Sequence, residues 1–401
     1  MNLQMHPNYE GLVEKADQSH RNNRSSEDIT PEDIGLARLY SYAFRSHVIG
    51  AFHATRLAIE NLPTTTPLAT AYRKRATETL SDLAGYAMGP IATDFRAVIS
   101  ILHRYHQGVL RIIDSIDRDY RESHDTEIDR IGRQFCEIMQ QIMTSDGIHF
   151  TQDTSAPEQA SFVVPNLGIT IVPLVYGDHH SWNLAYLSDE ARDVPTHRHQ
   201  EGVEIHLGYE PLLGETILGD YCAEVTEGYA MPIPPKTLHG YVNTSDTVHH
   251  VPFIFGSLKQ AGWGVFLDVE SLDCEIENLE RTELSSEQMN NSIYLEREIA
   301  AAEALSTSHR KTLIPASQTD RNGSGGLELS VARIDQNGLS LPPDSFRIVS
   351  IVRGEGMVRM AGQERAVRAH DHFGIPSGMD ASLKQQRKTP LVILDVLIKS
   401  A

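Results

Sequence analysis

The sequence predicts an α+β protein in which an N-terminal helical bundle is followed by two antiparallel β-barrel domains. Apolar side chains recur at helical spacing over roughly the first 145 residues. From Phe162 onward the period becomes two, in short runs separated by Pro, Gly and Asp, which is typical of the strands of a barrel or sandwich. The same alternation resumes at Leu327 after a Gly-rich loop. A chain of 401 residues has room for two or three domains, each able to bury its own core.

The N-terminal third is predicted to be a polar arm followed by helices. Residues 1–30 are rich in Asn, Ser and charged side chains and are expected to be mobile. Thr30 is a candidate N-cap, Pro31 stands at the first helical position, and Asp33 lies in the first turn, so a helix is expected to begin here. The helical domain is assigned to residues 31–150, with helices expected over residues 34–62, 67–87, 91–120 and 127–143.

A histidine-rich stretch in the middle of the chain has the residue types of a metal site. His197 and His199 are two apart, so on a strand they share one face. After a short turn, Glu204 and His206 again share a face, and His239 arrives from a later strand. Imidazole and carboxylate groups together suit Fe, Mn, Ni, Co or Zn.

This stretch resembles the two sequence motifs of the cupin superfamily. His197-x-His199 followed by Glu204 is similar to the first motif, and Gly228, Pro234, His239 and Asn243 fit the second. One fixed position departs from the pattern, because Lys236 stands where the family usually has Gly. The resemblance implies a small antiparallel, jelly-roll-like barrel over residues 160–272. It also implies one metal held by His197, His199, Glu204 and His239, with open coordination positions facing a pocket.

The C-terminal part resembles the same family in degraded form. Residues 273–326 are interpreted as a connector with a helix beginning near Ser285, and residues 327–401 as a second cupin barrel. Asp371 to Gly378 resembles the Pro-x-Gly part of a second motif, but Ala381 occupies the place of the motif His. The region around Pro342 to Arg347 also lacks His and Glu. The second barrel is therefore expected to hold no metal and to serve packing, dimerisation or pocket closure, which makes the chain a bicupin.

Composition and charge restrict the partners that are expected. A formal net charge of −19 and the lack of a Lys/Arg cluster argue against nucleic acid. Three cysteines are too few and too scattered for a disulfide framework or a Cys-rich zinc site. The sequence has no apolar signal core at its beginning and no run long enough to span a bilayer, so a soluble, cytoplasmic protein with a small-molecule substrate is expected.

The resemblance leaves several functions open. Three His and one Glu form the ligand set often associated in cupins with Fe(II) dioxygenases acting on small organic molecules, and this is the first hypothesis. Substrate activation or proton transfer is then expected from His206 and Tyr241, which share strand faces with Glu204 and His239, while His206 could equally be a partner that orients a ligand. The second hypothesis is a metal-dependent isomerase or lyase for a sugar or hydroxy acid. The third is a non-enzymatic module that binds a small ligand.

The polarity of the pocket depends on strand register, which the sequence leaves open. Seven side chains from the middle barrel are candidates for its lining, and which of them point inward is not fixed by alternation alone. They are Tyr176, Trp182, Asn183, Tyr186, Tyr221, Phe253 and Trp263.

Overall fold

The computed structural model describes the larger part of the chain. The described residues are 5–22, 29–60, 74, 97, 100, 140–148, 151–152, 162–163, 169–187, 192–208, 213–247, 249–259, 269–272, 274, 276–320, 325–342 and 344–399. They fall into two compact units. The first is Met1–His149 with Pro157–Phe162 and Met360–Gln363, and the second is Phe150–Ala156 with Val163–Arg359 and Glu364–Ala401.

Two helices are described in the first unit, α1 (Pro7–Asn22) and α2 (Pro31–Glu60). The start of α2 confirms the predicted N-cap, because Thr30 Oγ1 accepts a hydrogen bond from Asp33 N at 3.1 Å and Thr30 N donates to Asp33 Oδ2 at 2.9 Å. The predicted helices over residues 67–87 and 91–120, and most of that over 127–143, lie outside the described residues.

Helix α1 lies within the segment for which the composition predicted a mobile arm. Its polar sequence carries two fully buried apolar side chains, Tyr9 and Leu12. The Tyr9 ring meets the Tyr40 ring edge-on at 5.2 Å, and Lys15 Nζ lies 2.7 Å from Asp33 Oδ2. A few anchors therefore order a segment whose average composition resembles that of a disordered tail.

The second unit begins with strands that match the predicted period of two. Their bounds in chain order are β1 Thr151–Gln152, β2 Phe162–Val163, β3 Thr170–Tyr176, β4 His180–Leu187, β5 Val194–His199, β6 Val203–Leu207, β7 Gly214–Leu218, β8 Tyr221–Val225, β9 Ala230–Ile233, β10 His239–Asn243, β11 His249–Gly256, β12 Val269–Ser271 and β13 Glu280–Arg281.

Apart from β1, which pairs with β20 (Asp371–Ile375) of the second half, these strands form two facing sheets whose inner surfaces enclose a core. One sheet has the order β3-β4-β11-β6-β9 after a short edge strand, and the other has the order β12-β5-β10-β7-β8-β13. The sheets are antiparallel except at the short β8–β13 pair. Contacts between their inner faces include the rings of His199 and Phe255, 5.1 Å apart. Gly202, in the turn between β5 and β6, allows this approach, since a Cβ there would lie 1.9 Å from the Phe255 ring.

The remaining elements of the second unit are two short helices and nine strands. They are α3 Leu295–Glu303, α4 Ala316–Thr319, β14 His309–Ile314, β15 Gly326–Ile334, β16 Leu339–Leu341, β17 Arg347–Arg353, β18 Glu355–Met360, β19 Gln363–Arg368, β20 Asp371–Ile375, β21 Ala381–Gln385 and β22 Leu391–Lys399. The connector helix therefore begins at Leu295, ten residues later than the Ser285 start that was predicted, and a one-turn 3-10 helix at Glu287–Met289 precedes it.

The strand order of the first barrel-like half recurs in the second. The sequence β3-β4-β11-β6-β9 corresponds to β14-β15-β22-β17-β20, and β5-β10-β7-β8 corresponds to β16-β21-β18-β19. Each half is therefore a sandwich of two sheets with the same connectivity, as the resemblance implied. Among the described residues, no helix is long and apolar enough to cross a membrane.

The two halves pack through the outer faces of their larger sheets. The Trp182 ring lies 5.3 Å from the His372 ring, and the His180 ring lies edge-on to Phe346 at 5.4 Å. Trp182 and His180 are fully buried, and burial lowers the pKa of His180 to about 4. This apolar contact sets which face of strand β4 is left to line the interior of the first half.

Candidate metal centre

Four side chains from four strands converge inside the first half. His197 and His199 come from β5, Glu204 from β6 and His239 from β10, and each offers one ligand atom such that these atoms lie within 4.8 Å of one another. All four residues are buried, between 0% and 4% exposed. Arg198, between the two histidines of β5, pairs with Glu270 Oε2 at 3.0 Å in an exposed position. The alternation predicted from the sequence is what turns His197 and His199 inward.

Strand pairing explains why these positions meet. His239 stands directly opposite His197 across the β5–β10 pair, and their ring centroids are 4.1 Å apart. Glu204 comes from the facing sheet, and its Oε2 lies 2.9 Å from His199 Nε2 and 3.3 Å from His239 Nε2. The cluster thus joins the two sheets of the sandwich.

Backbone carbonyls orient two of the imidazoles. His197 Nδ1 lies 2.8 Å from Pro195 O, and His239 Nδ1 lies 2.9 Å from Thr237 O. A carbonyl oxygen can only accept, so each Nδ1 carries the proton and each Nε2 keeps its lone pair for the cluster. Metal-binding histidines characteristically donate their second ring nitrogen in this way.

His206 is a partner of the carboxylate and lies outside the four-residue cluster. Its Nε2 lies 2.9 Å from Glu204 Oε1, which leaves Oε2 as the oxygen that faces the other imidazoles. The other ring nitrogen, Nδ1, is buried and has no hydrogen-bond partner among the described residues. The structure therefore favours the alternative in which His206 orients a ligand, and it leaves one basic nitrogen of that ring uncommitted.

The protonation states suit metal coordination. Burial lowers the pKa of His197 well below its ordinary value, and the neighbouring His239 and His199 act in the same direction. Burial also lowers the pKa of His239. The pKa of Glu204 is held well below its usual range, because His206 and His239 outweigh the opposing effect of burial. Neutral imidazoles around an ionised carboxylate are the forms that a divalent metal requires.

The cluster fits a divalent transition metal. Glu204 Oε2 and His239 Nε2 are buried, 3.3 Å apart, and neither makes a hydrogen bond of acceptable geometry among the described residues. Two ligand atoms that each lie about 2.1 Å from one ion at right angles are about 3.0 Å apart, close to the separations seen here. Two unsatisfied buried polar atoms aimed at one point are costly without such an ion.

The turn that leads into β10 holds the departure from the cupin pattern. Lys236 has φ 65°, in the left-handed region, and its N–H donates to His199 O at 2.6 Å. Thr237 N donates to Pro234 O at 3.3 Å, which closes the turn. Lys236 thus adopts the left-handed conformation that favours Gly. Its hydrogen bond to His199 O connects the end of β5 to the turn before β10.

Register now decides which of the candidate pocket residues point inward. Asn183 and Phe253 stand in line with His206 across adjacent strands, so they share its inner face. Tyr176 Oη donates to Asn183 Oδ1 at 2.6 Å, and Asn183 Nδ2 donates to Ser181 Oγ at 2.9 Å, which forms a buried polar chain. Trp182 faces the other way, against the second half, and Trp263 lies outside the described residues.

Tyr241 and two residues that sequence reasoning missed lie farther along the same interior. Tyr241 is fully buried and its hydroxyl donates to Leu213 O at 3.1 Å. Thr216 pairs with Tyr241 across β7 and β10. Tyr229, just before β9, is also fully buried. Thr216 lies outside both motifs and Tyr229 stands at a variable position of the second, so only the strand register identifies them as interior residues.

The second half presents different side chains at the corresponding positions. Glu204 stands opposite Ile233, and Arg347 stands opposite Ile375 in the equivalent pair of strands. His197 stands opposite His239, and the equivalent pair is Leu341 and Ala381. The positions of one carboxylate and two imidazoles are thus taken by a guanidinium and two apolar side chains.

A buried ion pair occupies this part of the second half. Arg347 NH1 lies 2.7 Å from Asp395 Oδ2, and Arg347 Nε donates to Pro342 O at 2.9 Å. Arg310 NH2 also reaches Asp395 Oδ2, at 2.9 Å. A fixed positive charge therefore stands where the first half gathers metal ligands.

Comparisons with known proteins give only distant structural likenesses. No protein-family description and no curated protein matches the chain. Similar solved structures include salicylate 1,2-dioxygenase from Pseudoaminobacter salicylatoxidans, with a TM-score of 0.42 and 14% identity over 54% of this chain and 70% of that chain. They also include a cupin 2 conserved barrel domain protein from Leptotrichia buccalis, with a TM-score of 0.36 and 14% identity over 58% of this chain and 89% of that chain. Similarity at this level carries no information about activity.

The likeness to a family therefore depends on the two sequence motifs and on the strand order of this chain. The two cupin motifs fall on β5–β6 and β9–β10, and the residues at their His and Glu positions meet in one buried cluster. The same strand order occurs twice. The chain resembles the cupin superfamily in both motifs and in a strand order that occurs once in each half.

Proposed function

We propose that the protein is a metal-dependent cupin enzyme, and specifically an Fe(II)-dependent dioxygenase that acts on a small organic molecule. The single observation that carries the proposal is the buried cluster of His197, His199, Glu204 and His239. Three imidazoles and one carboxylate are a ligand set for Fe(II), and Mn, Ni, Co or Zn are accepted by the same atoms. A metal held by these four side chains would supply the remaining coordination positions to a substrate.

The residues of the chain have separate tasks in this proposal. His197, His199, Glu204 and His239 hold the metal, and the Pro195 and Thr237 carbonyls keep two of the rings in place. When bound, the metal supplies Lewis acidity and open positions for substrate and dioxygen. The interior wall excludes bulk water, because Phe253 and Phe255 line it beside Glu204 and His206.

His206 and Tyr241 are proposed to act on the substrate. His206 Nε2 holds Glu204, and the buried Nδ1 on the opposite side of the ring can accept a proton from a substrate hydroxyl. Burial raises the pKa of Tyr241, so its hydroxyl stays protonated. Since that proton is donated to Leu213 O, the Tyr241 oxygen is left with lone pairs that can accept a hydrogen bond from substrate.

The same free nitrogen favours a second candidate function. An isomerase or lyase acting on a sugar or hydroxy acid would need a base beside a metal-held carbonyl, and the buried, unpartnered His206 Nδ1 would be that base. The two functions differ in their need for oxygen. A binding module would need neither oxygen nor turnover.

The first experiment tests the metal site. Glu204→Gln should lower metal affinity about 10- to 100-fold, because it removes the only charged ligand. His372→Ala, in the second half, should leave metal content unchanged, since His372 packs against Trp182 away from the cluster. Metal content is measured by elemental analysis after dialysis of each variant. Equal loss of metal from both variants would show that the ligand assignment is wrong.

The second experiment tests the reaction. Fe(II)-loaded protein is screened with small acids, phenols and sugars while oxygen consumption is recorded. We expect a substrate-dependent uptake that stops when Zn(II) replaces Fe(II). Turnover that persists without oxygen, or with Zn(II), would reject the dioxygenase in favour of the isomerase or lyase.

A further inference from the structure

Tyr229 lies on the inner wall of the first half, at a variable position of the second motif directly after Gly228. In the β6–β9 pair, Glu204 stands opposite Ile233 and His206 opposite Met231, so these four side chains face the interior. Tyr229 precedes Met231 by two residues and therefore continues the same face. The wall thus runs from the candidate metal ligand through His206 to Tyr229.

The Tyr229 hydroxyl has no hydrogen-bond partner among the described residues, although the side chain is fully buried. Two other tyrosines of this interior are satisfied within the chain, Tyr176 by Asn183 and Tyr241 by the Leu213 carbonyl. A buried hydroxyl without a partner costs about 1–3 kcal/mol. The Tyr229 hydroxyl is therefore a buried polar group without a hydrogen bond of acceptable geometry in the described part of the chain.

The Tyr229 hydroxyl shares the inner wall with Glu204 and Met231. Burial raises the pKa of Tyr229, a hydrogen bond with the Thr216 side chain lowers it, and the negative charge of Glu204 raises it. Thr216 Oγ1 also donates to Met231 Sδ at 3.6 Å, and its contact with Tyr229 lacks acceptable hydrogen-bond geometry. Tyr229 is consequently a neutral hydrogen-bond donor at the end of the wall.

We infer that the Tyr229 hydroxyl donates a hydrogen bond to a polar group of the substrate that is remote from the group held at the metal. The inference rests on the proposed function. It assigns a substrate class, namely small organic molecules with a metal-binding group at one end and a hydrogen-bond acceptor at the other. Tyr229 is then a specificity-determining residue.

Two probes that differ only at the remote end test this assignment. Catechol offers a metal-binding pair of hydroxyls, and 4-nitrocatechol adds an acceptor at the far side of the ring and reports binding by its absorbance. Both are titrated into Zn(II)-loaded full-length protein, in which oxygen chemistry plays no part. Tyr229→Phe should weaken 4-nitrocatechol about tenfold, equivalent to about 1.4 kcal/mol, and leave catechol within about twofold of the wild type.

Stability and metal content separate this role from a structural one. Tyr229→Phe should keep the wild-type metal content and should raise the melting temperature, since it removes a hydroxyl that lacks a good hydrogen bond in the folded chain. Tyr40→Phe is the matched control, because the Tyr40 hydroxyl donates to Ser145 O at 2.5 Å in the helical unit. The control should lower stability and leave both dissociation constants unchanged.

Three results would overturn the assignment. They are an equal weakening of both probes by Tyr229→Phe, no weakening of either, and a failure of 4-nitrocatechol to bind the Zn(II)-loaded wild type. Failure of the proposed function shows elsewhere, as loss of Fe(II) dependence or of oxygen uptake in wild-type protein, so the two failures are distinguishable.

Discussion

At the scale of single residues, the candidate metal centre is prepared before a metal arrives. The Nδ1–H groups of His197 and His239 are donated to backbone carbonyls, and Glu204 is held by His206. The motif brought out His197, His199, Glu204 and His239 as candidate ligands from the sequence. It could not identify which oxygen of Glu204 faces them, because that depends on the contact with His206.

Acid should destabilise the metal-free protein through His197 and His239. The pKa values of both imidazoles are lowered in the folded state. Below about pH 6.5 the unfolded chain therefore binds protons that the folded chain does not, and the free energy of unfolding decreases as the pH is lowered. Each imidazole contributes up to about 1.4 kcal/mol per pH unit in this window. The measurement is denaturant unfolding of metal-free protein at pH 7.5 and 5.5.

The variant His197→Asn/His239→Asn isolates this contribution from the other titrating groups. Its stability should fall less between pH 7.5 and 5.5 than that of the wild type. An identical fall in both proteins would mean that these imidazoles are protonated as easily in the folded chain as in the unfolded one.

Lys236 carries a backbone conformation that its side chain disfavours. Its φ is 65°, and the equivalent residue of the second half is Gly378, with φ 77° and the same closing bond, from Met379 N to Pro376 O. Lys236→Gly should therefore raise the free energy of unfolding by up to about 1 kcal/mol, because relief of the left-handed strain exceeds the added chain entropy.

The reverse substitution at the equivalent position of the second half, Gly378→Lys, is the control. Gly378→Lys should lower the free energy of unfolding by about 1–2 kcal/mol, as measured by denaturant titration. A destabilised Lys236→Gly variant would indicate that the Lys236 side chain makes contacts that outweigh the strain.

At the scale of elements, the two halves use one strand order for different interiors. Strand β6 brings Glu204 to the metal ligands, whereas β17 brings Arg347 to Asp395 of β22. Burial raises the pKa of Asp395, while Arg347 and Arg310 oppose the shift. The second interior is thus closed by an ion pair.

Removing the buried carboxylate should be costly. Asp395→Asn leaves the Arg347 guanidinium, which is 2% exposed, without its charged partner, and a loss of about 3 kcal/mol is expected. Asp344→Asn is the matched control, because Asp344 contacts the same guanidinium at 3.3 Å but its side chain is 69% exposed, so a change within about 0.5 kcal/mol is expected. A similar decrease in the free energy of unfolding in both variants would show that burial of Asp395 does not make its ion pair more important for stability.

A secondary-structure element can be predicted when its own sequence determines it, and is missed when contacts with distant parts of the chain are needed. The strands that end at Tyr176 and Leu187 were recognised as short β-rich runs bounded by Pro, Gly and Asp, although both faces of each strand are buried. Helix α1 was missed, because its order depends on contacts of Tyr9 with a helix distant in sequence.

At the scale of the whole molecule, the candidate centre belongs entirely to the second compact unit. A fragment that begins at residue 150 should therefore fold cooperatively and bind Zn(II) with the affinity of the full chain. Calorimetric titration of fragment and full-length protein is the measurement. A folded fragment that fails to retain Zn(II) would show that residues of the first unit are needed to build the site.

The sequence by itself determined the ligand set, the period of the strands and the repetition of the fold, because these properties are written in spacings of two residues and in two short motifs. The tertiary structure decided which side chains become neighbours, because that depends on how the strands pair. It turned His206 into the partner of Glu204, brought Arg347 to the position equivalent to Glu204, and left the Tyr229 hydroxyl facing the interior without a partner in the described chain. The physical reason is that a side chain's face follows from local alternation, whereas its neighbours follow from the register between strands that lie far apart in the chain.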